Sequence, residues 1–164
     1  IPTHGGSIRV YASRKGVLEV RPTVARLLQE EQARGPLTKQ LSDFKRCVVR
    51  SKVDLQAIFS DIKSKGQSVY GVSAASRGST LVNYVGIDDG IMDCVLEKEG
   101  SKKIGRYLPG TLIPVVDESV LFEHQPDFAL FLAWHIADEL MPKLRKLGYR
   151  GKFIVPLPEP HILE

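Results

Sequence analysis

The stretch 70–87, which reads YGVSAASRGSTLVNYVGI, concentrates small polar residues between two apolar runs. Arg77, Gly78, Ser79 and Thr80 stand in a row within it. An arginine can bind an anion through its planar guanidinium, a glycine lets the backbone approach a ligand, and a serine or threonine can cap a helix. These types predict a loop that leaves a strand and enters a helix near Thr80. It either binds a phosphorylated ligand or is a capped tight turn, since neither a Walker motif nor GxGxxG occurs.

A second group of polar side chains follows a long apolar run, at Trp134, His135, Asp138 and Glu139. A histidine with a nearby carboxylate can transfer protons in catalysis. Two carboxylates at the start of a helix also interact favourably with the helix dipole, without any catalytic role. The sequence favours this second interpretation.

A third group is the turn PTHGGS, which contains His4, Gly5, Gly6 and Ser7. Two glycines beside a histidine and a serine expose backbone groups, so the turn could bind a substrate oxygen or only close a hairpin. Both interpretations stay open on the residues alone. No nucleophile-elbow pattern accompanies any of the three groups.

Charge and cysteine content limit the function classes. The net charge is +4, but residues 1–66 hold 13 Lys and Arg against 6 Asp and Glu, whereas residues 67–164 hold 10 against 13. A solvated basic helix explains this better than nucleic-acid binding, since no zinc-finger or RRM pattern occurs. The two cysteines lack metal-ligand spacing and predict reduced thiols in a cytoplasmic protein. No apolar run approaches the roughly 20 residues that span a bilayer.

The elements that would position these groups form an alternating pattern. Residues 7–13 alternate as in a strand, and apolar residues then recur at three- and four-residue spacing up to Gly66, which predicts one long helix. Strands and helices alternate after it. The predicted strands cover 68–74, 92–98, 110–116, 126–134 and a last one from 151, and the predicted helices cover 80–87 and 136–148. This order predicts an α/β fold: a Rossmann-like, doubly wound, mostly parallel sheet with flanking helices, preceded by a strand and a long connector helix.

Four motifs in the same order resemble the carboxy-terminal part of the sugar C-methyltransferases, which act on nucleotide-linked deoxysugars. The resemblance covers nearly the whole chain. The motifs are IPTHGGSIRVYASR, SAASRGSTLVNYVGI, GRYLPGTLIPV and the pair FLAWHIADEL with GKFIVPLPEP.

The resemblance implies three parts in the intact enzyme: a zinc-binding lobe, a middle domain that binds S-adenosylmethionine, and a Rossmann-like carboxy-terminal domain that helps bind the nucleotide sugar. Residues 1–20 would then be a trailing strand of the missing methyltransferase domain, 21–66 a connector helical segment and 67–164 the carboxy-terminal domain. We therefore expect a fragment that binds neither metal nor S-adenosylmethionine, holds no catalytic residue and is inactive alone.

The residues that the resemblance carries over are matched one by one. The family loop is matched at Gly78, Thr80, Leu81, Asn83 and Tyr84, with Arg77 in place of a lysine. Ser73 and Ala75 depart from the family pattern, since a glycine and a proline are common there, and His135 stands where an asparagine is usual. The implied substrate-binding residues are His4, Gly5, Gly6, Ser7, Arg77, Gly78, Ser79, Thr80, Tyr84, Trp134, Asp138 and Glu139.

The implied reaction is methyl transfer from S-adenosylmethionine to a sugar carbon beside a keto group. The implied partners are a nucleotide sugar and the methyltransferase domain of the same chain, with no membrane and no nucleic acid. The alternative is a non-catalytic interaction or dimerisation module with a Rossmann-like fold. A nicotinamide-dependent oxidoreductase is a weaker alternative, because the glycine fingerprint is missing.

Overall fold

The computed structural model describes residue 1 and residues 6–164. The chain divides into two compact units, Ile1–Val48 and Val49–Glu164. The helices are α1 (Pro22–Ala33), α2 (Leu37–Ser64), α3 (Ser76–Val85), α4 (Ser119–His124) and α5 (Ala137–Lys146), with a 3₁₀ turn at Trp134–Ile136 before α5. The strands are β1 (Val69–Val72), β2 (Cys94–Glu97), β3 (Val115–Asp117), β4 (Phe128–Phe131), β5 (Lys152–Val155) and β6 (His161–Leu163).

The six strands form one sheet in the order β3-β2-β1-β4-β5-β6. The first five are parallel, and β6 pairs antiparallel with β5. The register sets Val72 at the end of β1 beside Phe131 at the end of β4. All four residues of β4 are buried, as expected for a central strand covered on both faces. The predicted Rossmann-like α/β fold is confirmed.

Two apolar clusters cover the two faces of the sheet. The first contains Leu55, Phe59 and Ile62 of α2 together with α3 residues such as Val82. The second contains Leu121 and Leu144 from α4 and α5, with Phe131 and Phe153 stacked at a centroid distance of 5.0 Å. Helices on both faces therefore hold the carboxyl ends of the parallel strands in a fixed arrangement.

The predicted long helix is two helices. α1 ends at Ala33, and α2 begins at Leu37. Gly35 between them has a φ of +82°, which a glycine adopts without strain. Pro36 follows, and the residue before a proline is pushed away from helical backbone angles. The Gly-Pro pair therefore breaks the helix, although the helical spacing of apolar side chains resumes after it.

The strand predicted over residues 7–13 is absent, because residues 6–14 have no regular secondary structure. A strand needs a neighbouring strand for its backbone hydrogen bonds, and all six strands of the described chain belong to the sheet between Val69 and Leu163. Ile8 and Val10 alternate with polar residues, but the described chain offers this segment no partner strand.

Three other predictions need correction. α3 begins at Ser76 rather than near Thr80, so the predicted loop is short. The short helix α4 was not predicted, since six residues give little periodicity. β6 lies in the segment predicted as proline-rich coil, where it pairs with β5 along the edge of the sheet.

Candidate functional site

The two loops that follow β1 and β4 lie side by side at the carboxyl edge of the sheet. β1 is continued through α3 to β2 on one side, whereas β4 and β5 lie on its other side. The strand order therefore reverses between β1 and β4. Doubly wound sheets bind ligands in the crevice outside the carboxyl ends of the strands at such a point. The first two polar groups of the sequence thus follow the carboxyl ends of two neighbouring strands, where such folds have their crevice.

The backbone of the loop after β1 is fixed by an ion pair. The Ala74 N–H donates to Glu97 Oε1 at 2.8 Å, and Lys103 Nζ donates to the Ala74 carbonyl oxygen at 2.7 Å. Lys103 Nζ also lies 3.2 Å from Glu97 Oε1, whose side chain is only 14% exposed. Ser73 has a φ of +69°, an uncommon value for a residue other than glycine. The loop is therefore held at both the N–H and the carbonyl group of Ala74.

Gly78 lies inside α3, where it packs against the segment after β4. A Cβ on Gly78 would approach the Cβ of Leu132 to 2.7 Å. Gly78 is buried, so its backbone does not face a ligand as the sequence had suggested. Its lack of a side chain instead lets α3 approach β4 closely, and this brings the start of α3 to the crevice.

The other three residues of the loop motif lie in the first turns of α3. Arg77 and Thr80 are exposed, and Ser79 is half-buried. Ala75 occupies the N-cap position, and no side chain caps the helix. The prediction that Ser79 or Thr80 caps α3 is therefore wrong, because both come after the first turn. The positive end of the helix dipole and the Arg77 side chain both belong to the start of α3.

The second polar group lies at the end of β4 and the start of α5. Trp134 is half-buried and contacts both apolar clusters, and its ring meets that of His135 edge-on with centroids 6.5 Å apart. Asp138 and Glu139 are exposed in the first turn of α5. This is the arrangement expected for carboxylates that stabilise a helix N-terminus.

Tyr84 does not join the other predicted site residues. It lies in the last turn of α3, about 10 Å along the helix axis from Arg77. The Lys52 ammonium lies 5.0 Å from the centroid of its ring, so Tyr84 packs against α2. Its neighbour Asn83 donates to the carbonyl oxygen of Pro109 at 2.9 Å. This hydrogen bond ties α3 to the turn of the GRYLPGTLIPV motif.

The third polar group is described only in part. His4 and Gly5 lie outside the described residues. Gly6 is exposed with a φ of +114°, and the Ser7 N–H donates to the carbonyl oxygen of Ile1 at 3.0 Å. Gly6 and Ser7 belong to the unit Ile1–Val48, whereas the crevice belongs to the unit Val49–Glu164.

A shallow depression of the described surface lies elsewhere. It has a volume of about 180 Å³ and lies between α2 and the turn after α3, at the amino edge of the sheet. Phe59, Gly86 and Ile91 line it, with Lys63 at its rim. It is shallow and mostly apolar and holds none of the predicted site residues.

The described residues include no group of three or more His, Cys, Asp or Glu side chains that could hold a metal ion. No helix of the described chain is both long and apolar enough to cross a membrane.

Comparison with known proteins identifies the family. Residues 2–158 match the family described as the C-methyltransferase C-terminal domain. The chain belongs to this family. It is also 32% identical over 163 residues to the C-methyltransferase NovU of Streptomyces niveus, an alignment that covers 98% of this chain and 39% of NovU. The chain thus spans about two fifths of the length of this relative.

Two residues of this C-methyltransferase C-terminal domain were missed by the sequence reasoning. Glu97 and Lys103 hold the loop after β1, but neither stood in a recognised motif. A signal for Glu97 was present, because it is the last residue of the strand beside β1. Polar residues at the carboxyl ends of parallel strands are candidates for a site, and this rule applies to β2 as it does to β1 and β4. Lys103 comes from an irregular segment, where no periodicity predicts the direction of a side chain.

The loop after β1 does not fit S-adenosylmethionine in the way that glycine-rich nucleotide loops bind their ligands. The Ala74 N–H is already used by Glu97, and the Ala75 N–H donates to the Ser73 carbonyl oxygen at 2.8 Å. The one glycine of the loop motif is buried against Leu132.

Proposed function

We propose that this chain is the carboxy-terminal domain of an S-adenosylmethionine-dependent C-methyltransferase, and that its crevice helps bind a nucleotide-linked keto-deoxysugar. The observation that carries the proposal is the juxtaposition of the loops after β1 and β4 at the reversal of strand order. Membership of the family supports the reaction class. The sugar and the nucleotide are inferred from the resemblance of the motifs.

The geometry favours binding of the phosphate groups rather than catalysis. Arg77 is the second residue of α3, so its guanidinium and the positive end of the helix dipole act on the same anion. The negative charge of Glu97 at the next strand end is offset by Lys103. Asp138 and Glu139 across the crevice would repel a second anionic group. The diphosphate would therefore bind on the α3 side, with Trp134 as an apolar surface for the base or sugar.

The catalytic step belongs to the rest of the polypeptide. S-adenosylmethionine, bound by another domain, supplies an electrophilic methyl group. The reaction requires a base that removes the proton from the sugar carbon beside the keto group, and donors that stabilise the enolate oxygen. Within this scheme the described residues fix the position of the nucleotide and so the approach of the reacting carbon. We propose that the protein acts in the cytoplasm, where its thiols at Cys47 and Cys94 stay reduced.

Titration calorimetry with the 164-residue chain tests the proposal. Uridine diphosphate and inorganic pyrophosphate should bind weakly, and Arg77→Ala should reduce both affinities about tenfold. The matched control is Arg150→Ala, an exposed arginine between α5 and β5 at the opposite edge of the sheet. S-adenosylmethionine should give no heat of binding. Tight binding of S-adenosylmethionine, or equal binding by the Arg77→Ala variant, would contradict the proposal.

A second function, an interaction or dimerisation module, is favoured by the exposed apolar residues of α1 and α2. It predicts that Arg77→Ala in the intact polypeptide leaves the KM for the sugar substrate unchanged. Sedimentation of a Leu28→Ser variant complements this test, because only the interaction function ties the exposed apolar residues of α1 to oligomer size.

A further inference from the structure

One face of α2 carries a single apolar stripe along its whole length. Within each half its residues follow each other at steps of three or four positions, and a step of seven, about two helical turns, separates Val48 from Leu55, so the residues lie on one side of the helix. The stripe consists of Leu37, Leu41, Phe44, Val48, Leu55, Phe59 and Ile62. Its second half is in the core: Leu55, Phe59 and Ile62 are each at most 2% exposed and pack over the sheet.

The first half of the same stripe is uncovered. Leu37, Leu41 and Phe44 are 68%, 58% and 67% exposed. None of the described residues of the unit Ile1–Val48 is buried. An amphipathic helix in a protein owes most of its stability to the packing of its apolar face against other elements. A stripe that is part of the core at one end and bare at the other therefore lacks its packing partner.

We propose that this bare stripe, Leu37, Leu41 and Phe44, is the docking surface for the methyltransferase domain that precedes residue 1 in the same polypeptide. The inference rests on the proposed function. The chain spans only 39% of NovU, and the family is a carboxy-terminal domain, so the larger remainder of such a protein precedes it. The stripe is continuous with the buried half of α2, which gives one apolar seam along one helix.

A second copy of this chain is a poorer occupant. The segment 37–53 carries five basic side chains, Lys39, Lys45, Arg46, Arg50 and Lys52, against the single acidic Asp43. Lys45 borders the stripe directly, at the helical position after Phe44. Two copies of α2 packed face to face would therefore bring basic rims together. An acidic rim on the methyltransferase domain would complement this charge.

Thiol labelling of the intact polypeptide tests the docking. In a Cys47→Ser background, which removes the exposed native thiol, Phe44→Cys puts a thiol on the stripe. Ser42→Cys puts a matched thiol on the opposite side of α2, where Ser42 is exposed. Cys94 is buried, so we expect its thiol not to react with the reagent. We expect the thiol at position 44 to react with iodoacetamide about tenfold more slowly than that at position 42 in the intact polypeptide, and at a similar rate in the 164-residue chain.

Hydrogen exchange of the unsubstituted proteins gives a second readout that needs no substitution in the stripe. Amides of 37–48 should exchange about tenfold more slowly in the intact polypeptide than in the 164-residue chain. Equal labelling at positions 42 and 44, with equal exchange, would overturn the docking and leave the proposed function standing. Protection that rises with concentration of the 164-residue chain alone would assign the stripe to self-association instead. An upstream sequence without a methyltransferase glycine motif would overturn the proposed function itself.

Discussion

Gly78 on α3 lies directly against Leu132, the residue after β4, with room for a hydrogen but not for a methyl group. A Cβ on Gly78 would lie 2.7 Å from the Cβ of Leu132, a distance that real Cβ atoms do not adopt. At this contact α3, the helix that follows β1, packs against the end of the neighbouring strand β4. It sets how close the two loops of the crevice lie, so a glycine of the family motif has a packing role.

The first prediction follows from this contact. Gly78→Ala should lower the free energy of unfolding by about 1–2 kcal/mol, because overpacking outweighs the helix propensity that alanine gains over glycine. Urea unfolding followed by circular dichroism measures it. Thr80→Ala, exposed in the same helix, serves as the control and should have a much smaller effect. A stabilised Gly78→Ala variant would show that α3 can move away from Leu132 without cost.

The second prediction concerns the ion pair that holds the loop after β1. Glu97→Ala should cost about 1–3 kcal/mol, since the buried Ala74 N–H loses its acceptor. Glu97→Gln keeps an oxygen acceptor and loses only the charge, so it should cost about 1 kcal/mol or less, because Lys103 is half exposed. Urea unfolding of both variants checks the order.

Glu99→Ala is the control for this pair, because Glu99 is an exposed glutamate two residues further along the chain. Equal losses for Glu97→Ala and Glu97→Gln would mean that the charge, and not the backbone hydrogen bond, holds the loop. The two Glu97 variants should also weaken diphosphate binding in the same order, if the loop after β1 takes part in it.

The third prediction is a pH dependence at the start of the central strands. The Ser68 N–H and hydroxyl donate to Asp127 Oδ2 at 2.8 and 2.9 Å. The backbone hydrogen bond from Ser68 holds the pKa of Asp127 below its ordinary value of 3.8. A carboxyl with a lowered folded-state pKa stabilises the fold above its unfolded pKa, and this contribution is lost as the pH falls through the folded-state pKa.

Unfolding free energies measured from pH 6 down to pH 3 test this dependence. The wild type should lose stability below about pH 4, and Asp127→Asn should lose less over the same range. The difference should be small, since Asp127 is exposed and solvent screens its charge. Asp89→Asn, an exposed aspartate on the turn after α3, should follow the wild type. A steeper loss in Asp127→Asn would exclude the hydrogen bond as the cause.

The parts of the fold that sequence predicted are those with strong local patterns. The apolar run around β4 identified a buried parallel strand, and the polar residues after β1 and β4 identified the two loops of the crevice. The start of α3 was misplaced because Ser79 and Thr80 are good caps by type, whereas the helix begins at Ser76 without a side-chain cap. Local propensity cannot show that the Ala75 N–H, at the N-cap position, already has an acceptor in the Ser73 carbonyl oxygen.

The roles of individual residues were harder to predict than the elements. Gly78 and Tyr84 matched a motif, but one packs against Leu132 and the other against Lys52. A motif records which residues occur together and does not distinguish packing from binding. Glu97 and Lys103 meet at Ala74 only because the sheet brings β2 beside β1. Such long-range contacts have no signature in a single sequence.

The central strand pair has a consequence for synthesis of the protein. β1 and β4 are neighbours in the sheet, but Val69 pairs with Phe128, and Ser68 with Asp127, across 59 positions of the chain. Contacts of such long sequence separation form late and slowly. On a translating ribosome, β1 would leave the exit tunnel long before its partner exists, with one edge unpaired. The two loops at the carboxyl ends of β1 and β4 are therefore brought together late on the nascent chain, only after the whole segment between the two strands has been made.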